Sequence, residues 1–147
     1  MTILRDPRSG LLNASYFRVA VPERVAVARR ALRPLSLVLV HIGGQLEPLD
    51  AATIVLGCLR DADTACQLAD GVIGVVLEDT PQDGAVWTAE RIRRDVVAAA
   101  PRLRVAAGVA TYPAHSLHAE ELLLAAREAL RAAGAGRRSR IEVAPPP

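Results

Sequence analysis

The sequence predicts an α+β domain in which a central five-stranded, mostly antiparallel sheet is covered by helices. Three observations lead there. Leu35–Ile42 is a run apolar at all but Ser36 and His41, bounded by Pro34 and Gly43-Gly44, the pattern of a strand buried on both faces. Residues 63–80, DTACQLADGVIGVVLEDT, read as two short apolar strands joined by a tight turn. Segments 83–99 and 116–133 carry apolar residues at helical spacing. Each such helix has one apolar face, which only a neighbouring layer can bury.

In chain order, the first helix runs from Asn13 to Arg33 with Tyr16, Phe17, Val19, Val21, Val25, Val27, Ala28 and Leu32 at helical spacing; Pro22 is expected to kink or break it and Pro34 to close it. The strand 35–42 follows. Thr53–Arg60 reads as a short helix that stops before the turn Asp61-Ala62-Asp63, and the hairpin comes next. Asp83–Ala99 is an amphipathic helix with Val86, Ala89, Ile92, Val96 and Val97 turned to the core, ended by Pro101. Arg104–Tyr112 is a strand, Ser116–Ala133 a helix stopped by Gly134 and Gly136, and Arg140–Val143 a last short strand. Val38, Val40, Val75, Leu77, Val105 and Val109 are expected in one sheet, under Val86, Ile92, Val96, Leu122 and Leu130. There is no internal repeat, so residues 1–144 are read as one domain and 145–147 as a tail.

Composition narrows the function classes. A chain of 147 residues with 51% apolar and 23% charged content can bury a core without disulfide or metal. Its 18 basic residues are all arginine, set against 16 acids for a net +2, which gives no signal for nucleic acid or a polybasic membrane contact. Cys58 and Cys66 sit in apolar settings without a CxxC or a histidine at ligand spacing, so buried reduced thiols and a cytoplasmic location are expected. No stretch approaches the roughly 20 apolar residues that span a bilayer, and the N-terminal segment lacks a signal-peptide core, so no membrane insertion is expected. His41, His115 and His118 share no carboxylate or thiol motif and are read as structural. Trp87, Tyr16 and Phe17 are read as core or interface anchors, and Arg137-Arg138-Ser139-Arg140 as a solvated strand edge.

Several separated pieces, in order, resemble one family. Asp6-Pro7-Arg8-Ser9-Gly10-Leu11-Leu12-Asn13 through Tyr16-Phe17 is similar to the DxLTGLxNRRxF entry motif of GGDEF domains, the bacterial diguanylate cyclases. Pro34–Val40 resembles their first strand, Ala107–Pro113 their SIGVAxYP strand, and Glu121–Leu123 with Ala126, Ala129-Leu130 and Gly136-Arg137 their closing helix. The resemblance covers about residues 6–142 and implies a nucleotide-cyclase-like fold. The first motif starts almost at Met1, so a domain cut from a longer multidomain chain is expected.

The same resemblance implies lost chemistry. The signature Gly-Gly-Asp/Glu-Glu-Phe falls on Ala69-Asp70-Gly71-Val72-Ile73, and the metal-binding carboxylates of the family fall on His41, Gly43 and Gly71. Hard divalent cations need oxygen donors that these residues do not supply. The stretch after the first strand is about nine residues shorter than the family pattern; Asp50 is the one candidate there for reading guanine, and the phosphate-binding Lys falls near Gly134. No cofactor or metal is expected, and no cyclase activity.

One constellation survives in register. Arg60-Asp61-Ala62-Asp63 is an RxxD five residues before the signature turn, as in the family's inhibitory product site, and Glu90-Arg91-Ile92-Arg93 matches the segment that supplies that site's second arginine. Arg60, Asp63 and Arg91 are therefore the expected cyclic di-GMP ligands: an arginine fork donates to guanine O6 and N7, and a carboxylate accepts from N1 and N2. The bland reading of the same residues makes Arg60 a last-turn helix residue, Asp63 a turn former and Arg91 the i,i+4 partner of Asp95. Two function classes follow: an inactive domain that binds cyclic di-GMP, or a ligand-free module for dimerisation or for docking a partner protein.

Overall fold

The computed structural model describes residues 4–44 and 46–146. Its elements are β1 (Leu12–Asn13), α1 (Ala14–Ala31), β2 (Leu35–Ile42), α2 (Pro48–Gly57), β3 (Thr64–Ala69), β4 (Val72–Glu78), α3 (Gln82–Ala99), β5 (Val105–Tyr112), α4 (Ala119–Gly134) and β6 (Arg140–Val143). One sheet holds six strands in the order β1-β3-β4-β2-β5-β6. This corrects the expected five: β1 is two residues long and carries no period to read. The inner pairings β3–β4, β4–β2 and β2–β5 are antiparallel, whereas β1–β3 and β5–β6 at the edges are parallel.

Alternation along β2 divides the core in two. Val38, Val40 and Ile42 face one layer with Val75, Leu77, Val105 and Val109, covered by Val55 of α2 and by Ala85, Ala89, Ile92 and Val96 of α3. Leu35, Leu37 and Leu39 face the other with Val76, Ala110 and Tyr112, covered by Phe17, Val21 and Val25 of α1 and by Leu122 and Ala126 of α4. Successive strand side chains point to opposite faces, so a continuous apolar run needs helices on both sides. The expected sheet residues do share one sheet. On α3, however, Ala85 rather than Val86 meets it, and Val86 and Val97 are half-buried at the flanks.

Helix boundaries moved where chemistry other than periodicity decided them. α2 begins at Pro48, a residue whose fixed φ and missing N–H suit the first helical position, and ends at Gly57. Arg60 therefore lies in the connection beyond the helix and not in its last turn. α1 continues through Pro22, and the carbonyl that Pro22 leaves unbonded, that of Arg18, belongs to an exposed residue. α4 starts at Ala119, because the Ser116 hydroxyl accepts from the His118 N–H at 3.1 Å and bonds the Glu121 carboxylate at 3.1 Å, shaping a turn ahead of the helix.

β5 and α4 touch through backbone. A Cβ placed on Gly108 would lie 2.2 Å from the Leu130 nitrogen and 2.5 Å from the Ala126 carbonyl oxygen. Glycine at this position sets the distance between helix and sheet. Among the described residues, no helix is long and apolar enough to cross a membrane.

Candidate functional site

The two ends of the β3–β4 hairpin carry the two constellations singled out in the sequence. At the tip, Ala69 pairs with Val72 across Asp70-Gly71, with a register shift between Gln67 and Ala69. Gly71 takes φ 73°, a left-handed conformation that side-chain-bearing residues adopt at a cost. Its carbonyl accepts from the Ile42 N–H at 2.8 Å, which fastens the tip to the end of β2.

That contact brings together three positions far apart in the chain. A Cβ on Gly71 would lie 3.5 Å from His41 Nε2, and one on Gly43 would lie 3.6 Å from His41 Cε1. The three expected metal positions thus meet at one point, and what stands there is an imidazole and two glycines. Beside it opens a cavity of about 490 Å³ whose polar lining includes Asp6, Arg8, Asn13, Gln67 and Asp70. Asp70 is turned to Arg8, 3.1 Å away, and Asp6 accepts from the Ser9 N–H at 2.8 Å. Among the described residues no three His, Cys, Asp or Glu side chains converge as a metal site would need. The donor set does not fit a hard divalent cation, which takes six or more oxygens.

At the base of the hairpin the RxxD forms a closed knot. Asp63 Oδ2 accepts from the Arg60 N–H at 2.9 Å, and Oδ1 accepts from Arg60 Nη2 at 3.2 Å and from the Glu78 N–H at 3.3 Å. Arg60 Nη2 also donates to Thr80 Oγ1 at 2.8 Å and to the Glu78 carbonyl. The Asp63 side chain is 3% exposed and that of Arg60 59%. Asp63 is thus turned inward, while Arg60 keeps a surface to solvent.

Arg91 approaches the same region from α3. Its Nη2 donates to the carbonyl of Gly57, the last residue of α2, at 3.3 Å, and its guanidinium lies over the Trp87 ring, 5.9 Å from the centroid. Asp95, the expected partner of Arg91, instead accepts from the Cys58 thiol at 3.4 Å. Burial, with that bond and the Asp95 charge, pushes the Cys58 thiol up to about 11. Cys66, pushed up to about 11 by burial, is likewise an inert thiol. Trp87 is 61% exposed and does not anchor the core, as Phe17 does. Its place four residues before Arg91 on one helix was the signal that could have linked it to the site.

His115 and His118 serve the β5–α4 connection. His115 Nδ1 accepts from the Thr111 N–H at 2.8 Å, and burial holds its pKa below the usual histidine range. At the C-terminal edge, Ser139 Oγ accepts from the Val105 N–H at 3.0 Å and Arg140 pairs with Glu142 at 2.9 Å.

A mixed sheet with helices on both faces and a hairpin tip over a polar cavity defines a domain of the GGDEF fold. The chain belongs to the GGDEF family: the family's sequence model, described as diguanylate cyclase, GGDEF domain, matches residues 49–140. Comparison with curated proteins gave no match. Among solved structures, the GGDEF domain of YfiN (TpbB) from Pseudomonas aeruginosa is 18% identical, with TM-score 0.84 over 93% of this chain and 98% of that one. The GGDEF domain of DgcB from Caulobacter crescentus, solved in complex with c-di-GMP, is 17% identical, with TM-score 0.84 over 97% and 96%. The diguanylate cyclase SiaD from Pseudomonas aeruginosa, solved with its activator SiaC, is 19% identical, with TM-score 0.85 over 97% of this chain and 62% of that one.

Proposed function

We propose that this chain is a GGDEF domain that makes no cyclic di-GMP and instead binds it at the base of the β3–β4 hairpin. One contrast carries the reading. At the tip, the positions that would hold metal meet as His41, Gly43 and Gly71; at the base, the RxxD stands in register with Arg60 partly open to solvent. Phosphoryl transfer without metal neutralisation of the triphosphate has little to drive it. Binding needs only donors and a surface.

Arg60 and Arg91 are the guanine donors in this reading. Asp63 acts by orienting Arg60, because its own oxygens are engaged by two backbone amides and the guanidinium. That c-di-GMP was found on a domain of the same fold, in DgcB, supports the assignment. A reducing, cytoplasmic setting agrees with two buried free thiols.

A second reading, a module that docks a partner protein or a second copy of itself without ligand, is favoured by the inward turn of Asp63 and by exposed Leu49 and Leu56 on α2. Calorimetric titration of the purified chain with cyclic di-GMP, GTP and GDP separates the two. Heat with cyclic di-GMP that is lost in Arg60→Ala supports the receptor; no heat with native protein leaves the docking module.

A further inference from the structure

We infer that Trp87 is a base-stacking residue of the same site, so that the ligand is held by one indole face as well as by the arginine forks. The inference rests on the receptor reading above and extends it to a residue outside the RxxD and its second arginine.

The placement follows from helix geometry. Thr80 links Arg60 to the start of α3: its hydroxyl accepts from Arg60 Nη2 at 2.8 Å, and its methyl would lie 3.0 Å from a Cβ on Gly84. Trp87 and Arg91 stand three and seven residues beyond Gly84, within about 60° of it around the helix and roughly 4.5 and 10 Å further along the axis. Trp87 therefore lies between the Arg60 end of the surface and Arg91. Arg91 in turn reaches back to the Gly57 carbonyl at the exit of α2.

The chemistry suits a purine. With 61% exposure the ring presents a large apolar face to solvent, a costly arrangement for a residue that pays for itself by burial elsewhere in proteins. The Arg91 guanidinium lies over the ring, 5.9 Å from its centroid, so an aromatic face and a donor suited to guanine O6 and N7 stand side by side on one helix. Stacking supplies affinity for any base, and the arginine forks supply the preference for guanine.

Trp87 is the single tryptophan of the chain, which makes its fluorescence a report from this one position. Titration of the native protein with cyclic di-GMP is expected to quench that emission with the same midpoint as the calorimetric heat. Trp87→Ala should weaken binding about tenfold and Trp87→Phe by much less, since one aromatic face replaces another. In Arg91→Ala, saturating ligand should still quench the indole, which a tryptophan that only props Arg91 would not show. Native heat with no change in emission, or native affinity in Trp87→Ala, overturns the stacking role and leaves the receptor standing. No heat with native protein overturns both. Circular dichroism melts of Trp87→Ala matching the native protein confirm that any loss is one of contact, not of fold.

Discussion

Asp63 holds Arg60 at both ends of the residue: one carboxylate oxygen accepts the Arg60 backbone N–H at 2.9 Å, and the other accepts its guanidinium Nη2 at 3.2 Å. The same carboxylate accepts from the Glu78 N–H, so the turn before β3 is tied to the end of β4. Asp63→Ala removes a buried carboxylate that two backbone amides and a guanidinium share, and should lower stability by about 1–3 kcal/mol in urea unfolding. Arg60→Ala takes the guanidinium from a buried carboxylate that two backbone amides still hold, and should cost less than Asp63→Ala. In calorimetry it should still weaken cyclic di-GMP binding by roughly one to two decades. An Asp63→Ala protein as stable as the native one contradicts this account of the knot.

Cyclase activity should not be recoverable at the hairpin tip. Gly71 sits at φ 73°, and a Cβ there would stand 3.0 Å from the Ile42 carbonyl oxygen, so an aspartate at this position meets both strain and a repelling oxygen. The double variant His41→Asp, Gly71→Asp is expected to form no cyclic di-GMP from GTP with Mg²⁺ or Mn²⁺. Chromatographic detection of product above a no-protein blank, in this variant or the native chain, would show the tip to be competent.

Gly108→Ala tests the contact of β5 with α4. The added methyl meets backbone atoms of Ala126 and Leu130, which cannot rotate away as a side-chain tip would. Overpacking of this kind typically costs about 1–3 kcal/mol, and thermal unfolding should show the loss. Gly57→Ala, where an added Cβ has nothing within 4 Å, is the control expected to leave the melt nearly unchanged.

Stability should fall on mild acidification through His115. Its folded pKa lies below the ordinary value of 6.5, so the unfolded chain binds more protons in the window just under 6.5. The contribution is complete above about pH 6.5 and declines as pH drops toward the folded value, where protonation also removes the acceptor that Nδ1 offers to Thr111. His115→Gln should flatten this part of the urea midpoint against pH between about 7.5 and 5. An unchanged slope in the variant assigns the effect to other groups.

Both thiols should be silent in the native protein. Cys58 and Cys66 are buried and titrate near 11, far above working pH. A chromogenic disulfide reagent at pH 7.5 should find none reacting quickly in native protein and both in denaturant. Fast native labelling would indicate that α2 or β3 opens.

β2 could be read to the residue, because a mostly apolar run and its Pro and Gly boundaries are local facts, and the expected bounds of β6 also match. The hairpin and the long helices were legible for the same reason. β1 was not, since two residues have no period and gain a strand only by lying beside β3. The start of α2 was set by Pro48 and not by its apolar spacing.

The sequence by itself determined which residues are apolar on which face, and hence the layers, while its ordered motifs carried the resemblance to the family. Tertiary structure alone decided where polar groups find partners: it brought Gly71 against His41 from 30 residues away, turned Asp63 inward onto Glu78, passed Asp95 from Arg91 to Cys58, and left Trp87 outside. The physical reason is that burial is additive and nearly directionless, so it can be summed along a chain. A hydrogen bond or ion pair exists only within a few tenths of an ångström of its geometry, and that distance is fixed by segments remote in sequence.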